Sequence, residues 1–290
     1  MIVRAALAEA EARADRQSAP SALWGELAAG RIVPYLGPGL LALAGAPIPL
    51  TPRDLALALH ARAPVSGRLR GLLWATAQFI ESRRHRKTLT ALMADIFRAP
   101  TAPTAFHRQL AGLDVPLIID TWYDGALRTA LIESGRSDWG ELQGVTRAGQ
   151  YRDVWTKAYD ASGTEVDPAR AADWTTVIYK PHGAVVPAAN FLVSDSDYVE
   201  ILTEIDIQSP VPEVVKERRR GRSFLFLGAR FDDQMLRIFA RQIAKRAGNG
   251  HLAVLERARL TRNETRFLHE VGIEVIDCPL DCALAAFAGD

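Results

Sequence analysis

Short, nearly continuous apolar runs alternate along the chain with longer segments in which apolar positions recur every three to four residues. The short runs are Arg31–Leu36 (RIVPYL), Val115–Thr121 (VPLIIDT), Thr175–Lys180 (TTVIYK), Asn190–Val193, Ser223–Leu227 (SFLFL), Leu252–Leu255 and Ile273–Ile276. Each has the length and density of a strand buried on both faces. Helical spacing begins at Ser21, a plausible N-cap, passes through Trp24, Leu27 and Ala28, and stops at Gly30. It returns over Pro52–Ala63 after Thr51, over Leu69–Phe97 with Trp74, Phe79, Ile80, Leu89, Leu92 and Ile96 as core positions, and over Phe106–Leu113, Asp233–Ala247 and Asn263–Val271. Strand, helix, strand in regular succession predicts an α/β fold: a Rossmann-like, mostly parallel sheet with helices on both faces. Residues 139–172 break the rhythm. They are polar and turn-rich, with Tyr151, Val154, Trp155 and Tyr159 ahead of Asp160-Ala161-Ser162-Gly163, and predict a small β-hairpin insertion. The division expected is an N-terminal surface helix over 1–20 and one α/β domain over 21–290.

Composition narrows the functional classes. A chain of 290 residues with 48% apolar content buries a sizeable core without staples. Its 35 basic and 34 acidic residues leave no electrostatic footprint for nucleic acid or anionic lipid. Two cysteines, Cys278 and Cys282, are too few for a disulfide framework or a four-cysteine zinc site, so no metal and a reducing compartment are expected. No run reaches membrane-spanning length, which gives a cytoplasmic expectation. The basic run Arg83, Arg84, His85, Arg86, Lys87 reads as a solvated helix face or a helix–helix junction.

Four groups of residues fall just beyond strand ends, where an open α/β sheet concentrates ligand contacts. Gly37-Pro38-Gly39 is a turn whose backbone can approach a pyrophosphate or simply turn tightly. Asp120 to Asp124 (DTWYD) and Lys180-Pro181-His182-Gly183 place polar groups at two further strand ends. His182 is a candidate acid–base group or a buried histidine bonded to its surroundings. In Gly228 to Asp233 (GARFDD), Gly228 can admit a ligand and Asp232 or Asp233 can cap the next helix.

In order, the strings PYLGPGL, IIDTWYD, IYKPHG, SDSDYVEIL and FLFLGARFDDQMLR resemble the sirtuin-like NAD-binding family, in particular its compact bacterial branch linked to NAD depletion in phage defence. The resemblance runs over roughly residues 25–245. It implies a nucleotide site for NAD or ADP-ribose formed by Gly37, Pro38, Gly39, Thr121, Trp122, Gly228 and Asp232, with His182 and Asp124 as catalytic residues. Two departures alter that expectation. Trp122 stands where the family has an active-site asparagine and offers one N–H donor and no acceptor. Pro38 removes a backbone N–H from the turn. The absence of a four-cysteine module argues against deacylation. The expectation is therefore a sirtuin-like protein that binds NAD, ADP-ribose or a related nucleotide in a regulatory role with a weakened catalytic site. NAD hydrolysis to nicotinamide and ADP-ribose is the first alternative. A nucleotide-independent interaction module, using Trp139, Tyr151, Trp155 and Tyr159 to meet a protein partner or a second copy, is the other.

Overall fold

A computed structural model describes residues 20–146, 154–204 and 211–288. The expected N-terminal helix over 1–20 and Tyr151 lie outside the described residues, apart from Pro20. The strands are β1 (Ile32–Leu36), β2 (Leu117–Asp120), β3 (Trp139–Gly144), β4 (Thr156–Asp160), β5 (Glu165–Val166), β6 (Thr176–Lys180), β7 (Gly183–Ala184), β8 (Asn190–Phe191), β9 (Ser223–Leu227), β10 (His251–Val254) and β11 (Ile273–Ile276). Nine of them form one sheet in the order β11-β10-β9-β1-β2-β6-β3-β4-β5, and β7 pairs with β8 in a small antiparallel sheet. From β11 to β3 every pairing is parallel, whereas β4 and β5 join antiparallel at the edge.

The helices are α1 (Pro20–Ala28), α2 (Gly39–Ala42), α3 (Pro52–Arg62), α4 (Leu73–Ile96), α5 (Ala105–Ala111), α6 (Ala126–Glu133), α7 (Asp195–Glu204), α8 (Glu213–Arg219), α9 (Gln234–Ala244), α10 (Arg262–Val271) and α11 (Leu280–Ala288). Alternation along the strands divides the core, since successive side chains point to opposite faces. Val33, Tyr35, Leu117, Ile119, Phe224 and Phe226 face the layer containing Phe239, Ile243 and Phe267. Ile32, Leu36, Ile118, Leu225 and Leu227 face Leu23, Leu27, Phe106, Leu131 and Leu284. A third cluster joins α3 and α4 to Trp122, Tyr123, Phe191 and Tyr198, just past the carboxyl ends of the strands.

Local chemistry sets the helix boundaries. Thr51 caps α3 by accepting the Asp54 N–H at 3.0 Å, with Pro52 in the first turn. Helix α10 opens on the capping box Thr261/Glu264 and closes on Gly272 in the left-handed region. Helix α4 is interrupted at His85, whose φ of 69° lies outside the helical region. That break turns Arg86 inward, where it meets Asp197 at 2.8 Å, Glu81 at 3.0 Å and the Phe191 carbonyl. The basic run is thus a junction between α4 and α7, and its neighbours Arg84 and His85 are exposed.

The described residues of 139–172 are continuous with the sheet. β3 pairs in parallel with β6, and β4 and β5 extend the edge beyond it. Trp139 and Tyr159 are buried, so neither forms a contact surface. Among the described residues no helix is long and apolar enough to cross a membrane.

Candidate functional site

The chain runs from β1 to β2 on one side and places β9 on the other, so the connections diverge between β1 and β9. Ligand crevices form at such points because neighbouring loops leave in opposite directions. Here the gap is a cavity of about 290 Å³. Its walls are Tyr35 on β1 with Pro38, Gly39 and Ala42 after it, Leu50 and Thr51 before α3 with Pro52 at its start, Thr121 and Trp122 after β2, and Gly228 to Asp232 with Leu236 after β9. Six of the residues expected at a nucleotide site, Pro38, Gly39, Thr121, Trp122, Gly228 and Asp232, therefore meet around one space.

Gly37 lies behind this wall and works through backbone contact. A Cβ on Gly37 would fall 2.5 Å from the Gly228 carbonyl oxygen, and one on Gly228 would fall 2.5 Å from Leu40 N. Gly228 also has a φ of 66°. The two turns are tied by hydrogen bonds from Gly37 N to Leu227 O and from Gly39 N to Gly228 O, each 2.9 Å. These N–H groups serve the protein's own backbone, and Pro38 has none. The turn thus joins two strand ends and donates little toward a phosphate.

The remaining walls are largely apolar. Trp122 is fixed by its Nε1 donating to the Pro49 carbonyl at 2.8 Å and by ring contacts with Phe97 and Tyr123. Thr121 donates its hydroxyl to Leu36 O at 2.8 Å. Arg230 forms a paired contact with Glu264, at 2.8 and 2.9 Å, which holds the guanidinium against α10. Burial alone would raise the Glu264 carboxyl, but Arg230 and the Thr261 and Phe231 N–H groups bring it down to about 2. Asp232 is exposed at the rim, while the next residue, Asp233, caps α9 by accepting the Met235 and Leu236 N–H groups.

The two expected catalytic residues do not line the cavity. Asp124 is buried and accepts the N–H of Ala126, the first residue of α6, at 2.8 Å. It neighbours a buried ion pair, Lys180 Nζ to Asp120 Oδ2 at 2.7 Å. Burial pushes the Asp120 carboxyl up, against the pull of Lys180. His182 is 2% exposed. Its Nδ1 lies 2.7 Å from the Tyr198 hydroxyl, and its Nε2 is buried with no hydrogen-bond partner among the described residues. Burial, then the charge of Lys180, lowers its pKa to about 3, so the ring is neutral near pH 7.

Several residues that shape the site carried no functional expectation. Glu264 braces the loop after β9, and the Thr-x-x-Glu spacing at 261–264 is the signal that marks it. Trp74 donates Nε1 to both Asp233 oxygens at 3.0 Å and packs edge-on to Tyr198. Phe239 lies edge-on to His182 with ring centres 4.9 Å apart. Neither residue has a local motif, since both meet their partners only through the fold. Among the described residues no group of three or more histidines, cysteines or carboxylates is placed to hold a metal ion.

A family model described as SIR2-like domain matches residues 116–276, more than half of the chain. The protein belongs to the SIR2-like family. The matched part of this SIR2-like chain runs from just before β2 to the end of β11 and includes Thr121, Trp122, Asp124, His182, Gly228 and Asp232. The turn Gly37-Pro38-Gly39 precedes it, although the fold packs that turn against Gly228. No curated protein matches the chain.

Proposed function

We propose that this SIR2-like protein binds NAD or ADP-ribose, with the adenosine end in the cavity between β1 and β9, in a regulatory role with weak turnover. The observation that carries this reading is the meeting of Pro38, Gly39, Thr121, Trp122, Gly228 and Asp232 around one space of about 290 Å³. Such a space has the scale of a nucleoside. Flat apolar walls from Trp122, Pro38, Leu50 and Leu236 suit the faces of a purine, and the Asp232 carboxylate suits ribose hydroxyls. The turn donates few N–H groups toward a pyrophosphate, so the adenosine end dominates recognition. The nicotinamide end would supply a bond for cleavage only where it reached His182, which does not line the cavity and packs against Phe239.

Melting in the presence of adenosine, ADP-ribose and NAD, followed by separation of the NAD sample's products, tests this. Ligand at a hundred times its dissociation constant adds about 2.7 kcal/mol of stability, so a clear upward shift is expected with NAD recovered intact. No shift with any of the three overturns it.

One observation favours NAD hydrolysis as a second reading: His182 Nε2 is a buried polar atom without a partner. Natural interiors rarely leave such atoms unmatched, and a reactive role is one reason to retain one. Nicotinamide release that disappears in His182→Ala supports this reading, and NAD left intact by both proteins excludes it.

A further inference from the structure

His182 sits inside a closed ring of contacts that begins and ends on one segment. Asp233, the N-cap of α9, accepts the Trp74 indole N–H at 3.0 Å. The Trp74 ring meets Tyr198 edge-on at 4.6 Å, and the Tyr198 hydroxyl lies 2.7 Å from His182 Nδ1. The His182 ring also packs edge-on against Phe239, about one and two-thirds turns further along α9 from Asp233. The two ends of α9 are held differently. Its C-terminal carbonyls, Gln242 O and Ile243 O, accept from the buried Arg219 guanidinium at 3.1 and 2.5 Å. Its N-terminal turn reaches α4 through the Trp74–Asp233 bond and also lines the cavity through Leu236.

From this geometry we infer that α9 is a cover over His182, latched at its N-terminal end by the Trp74–Asp233 hydrogen bond, and that releasing this latch makes the His182 ring accessible. A neutral indole donating to a carboxylate is a charge-assisted bond and a strong tie for a single contact. Met235 and Leu236 of the same turn pack against the cluster that contains Trp74, and losing the Trp74 N–H leaves the Asp233 cap of α9 in place. The inference deepens the reading of His182 as a reactive group, and its test uses no nucleotide. A failure to bind NAD and a failure of the cover are therefore told apart.

The test is carbethoxylation by diethyl pyrocarbonate near pH 7, with each histidine followed by peptide mass spectrometry in the full chain. His85 and His269 are exposed, and His107 and His251 are buried, which gives internal standards of both kinds. Burial holds His107 and His251 down to about 4, so both are neutral during the reaction, as His182 is. Trp74→Phe keeps a ring against Tyr198 and deletes the N–H. Asp233→Ser keeps a helix cap and shortens the reach to Trp74. In the wild type His182 should react as slowly as His107. Each variant should accelerate His182 on the order of tenfold, while His107 and His251 stay slow. His182 reacting as fast as His85 in the wild type overturns the cover. So does a pair of folded variants, checked by melting, in which His182 keeps its wild-type rate or in which all three buried histidines accelerate together.

Discussion

The Tyr198 hydroxyl and His182 Nδ1 are 2.7 Å apart, and among the described residues this is the one hydrogen bond that orients the His182 ring. Tyr198 also reaches toward the Leu192 carbonyl at 3.4 Å, which Tyr123 already meets at 2.8 Å. Tyr198→Phe would leave both ring nitrogens of His182 buried without partners. An unsatisfied buried polar group costs about 1–3 kcal/mol, so the variant should lose that much stability in urea titration at neutral pH. An unchanged midpoint would show that His182 draws no support from Tyr198.

The contact between the two glycine turns gives a second prediction. Gly228→Ala places a Cβ 2.5 Å from Leu40 N in a residue with φ of 66°, so the strain is both steric and conformational. Stability should fall by more than about 1 kcal/mol, and nucleotide-dependent melting should vanish because the cavity wall shifts. Gly67 has open space around its Cβ position and an ordinary φ, so Gly67→Ala is the control. Equal effects from the two substitutions would contradict the packing described.

Mild acid should destabilise the fold through its buried histidines. Burial lowers His182 to about 3 and His107 and His251 to about 4, below the unfolded value of 6.5. Each therefore binds its proton earlier in the unfolded chain, and its contribution is present above pH 6.5 and lost as pH falls toward 4 or 3. Asp120 acts in the opposite sense, because burial raises its carboxyl and its protonation favours the folded state in mild acid. Burial raises the Asp195 carboxyl as well, and three histidines against two aspartates set the direction, at about 1.4 kcal/mol for each unit of difference in pKa. The melting temperature should drop between about pH 7 and pH 5. A flat or rising profile over that range would refute this balance.

Much of the fold was legible because both periodicities are strong. The run SFLFL is a strand over the same residues, Ser223–Leu227, since it is buried on both faces and bounded by Arg222 and Gly228. The site was legible in part. Residues that touch the cavity through strand-end loops were marked by their glycine and polar punctuation. Asp124 and His182 carry the same kind of motif, yet one accepts the Ala126 N–H at the start of α6 and the other is buried against Tyr198 and Phe239. Local sequence does not encode which strand-end side chains turn into a shared space. Phe239 and Trp74 were invisible as site residues because helical spacing marks them only as core. The interruption at His85 was equally hidden, since the pull on Arg86 comes from Asp197, 111 residues away.

The space between β1 and β9 is proposed to hold the adenosine end of NAD or ADP-ribose. The most direct measurement of this is a calorimetric titration of the protein with ADP-ribose, run beside Ala42→Trp. Ala42 lines the cavity and is exposed, so an indole there fills the space with little disturbance of the core. One binding event per chain is expected in the wild type and none in folded Ala42→Trp. Equal heats from both proteins, or none from the wild type, would contradict it.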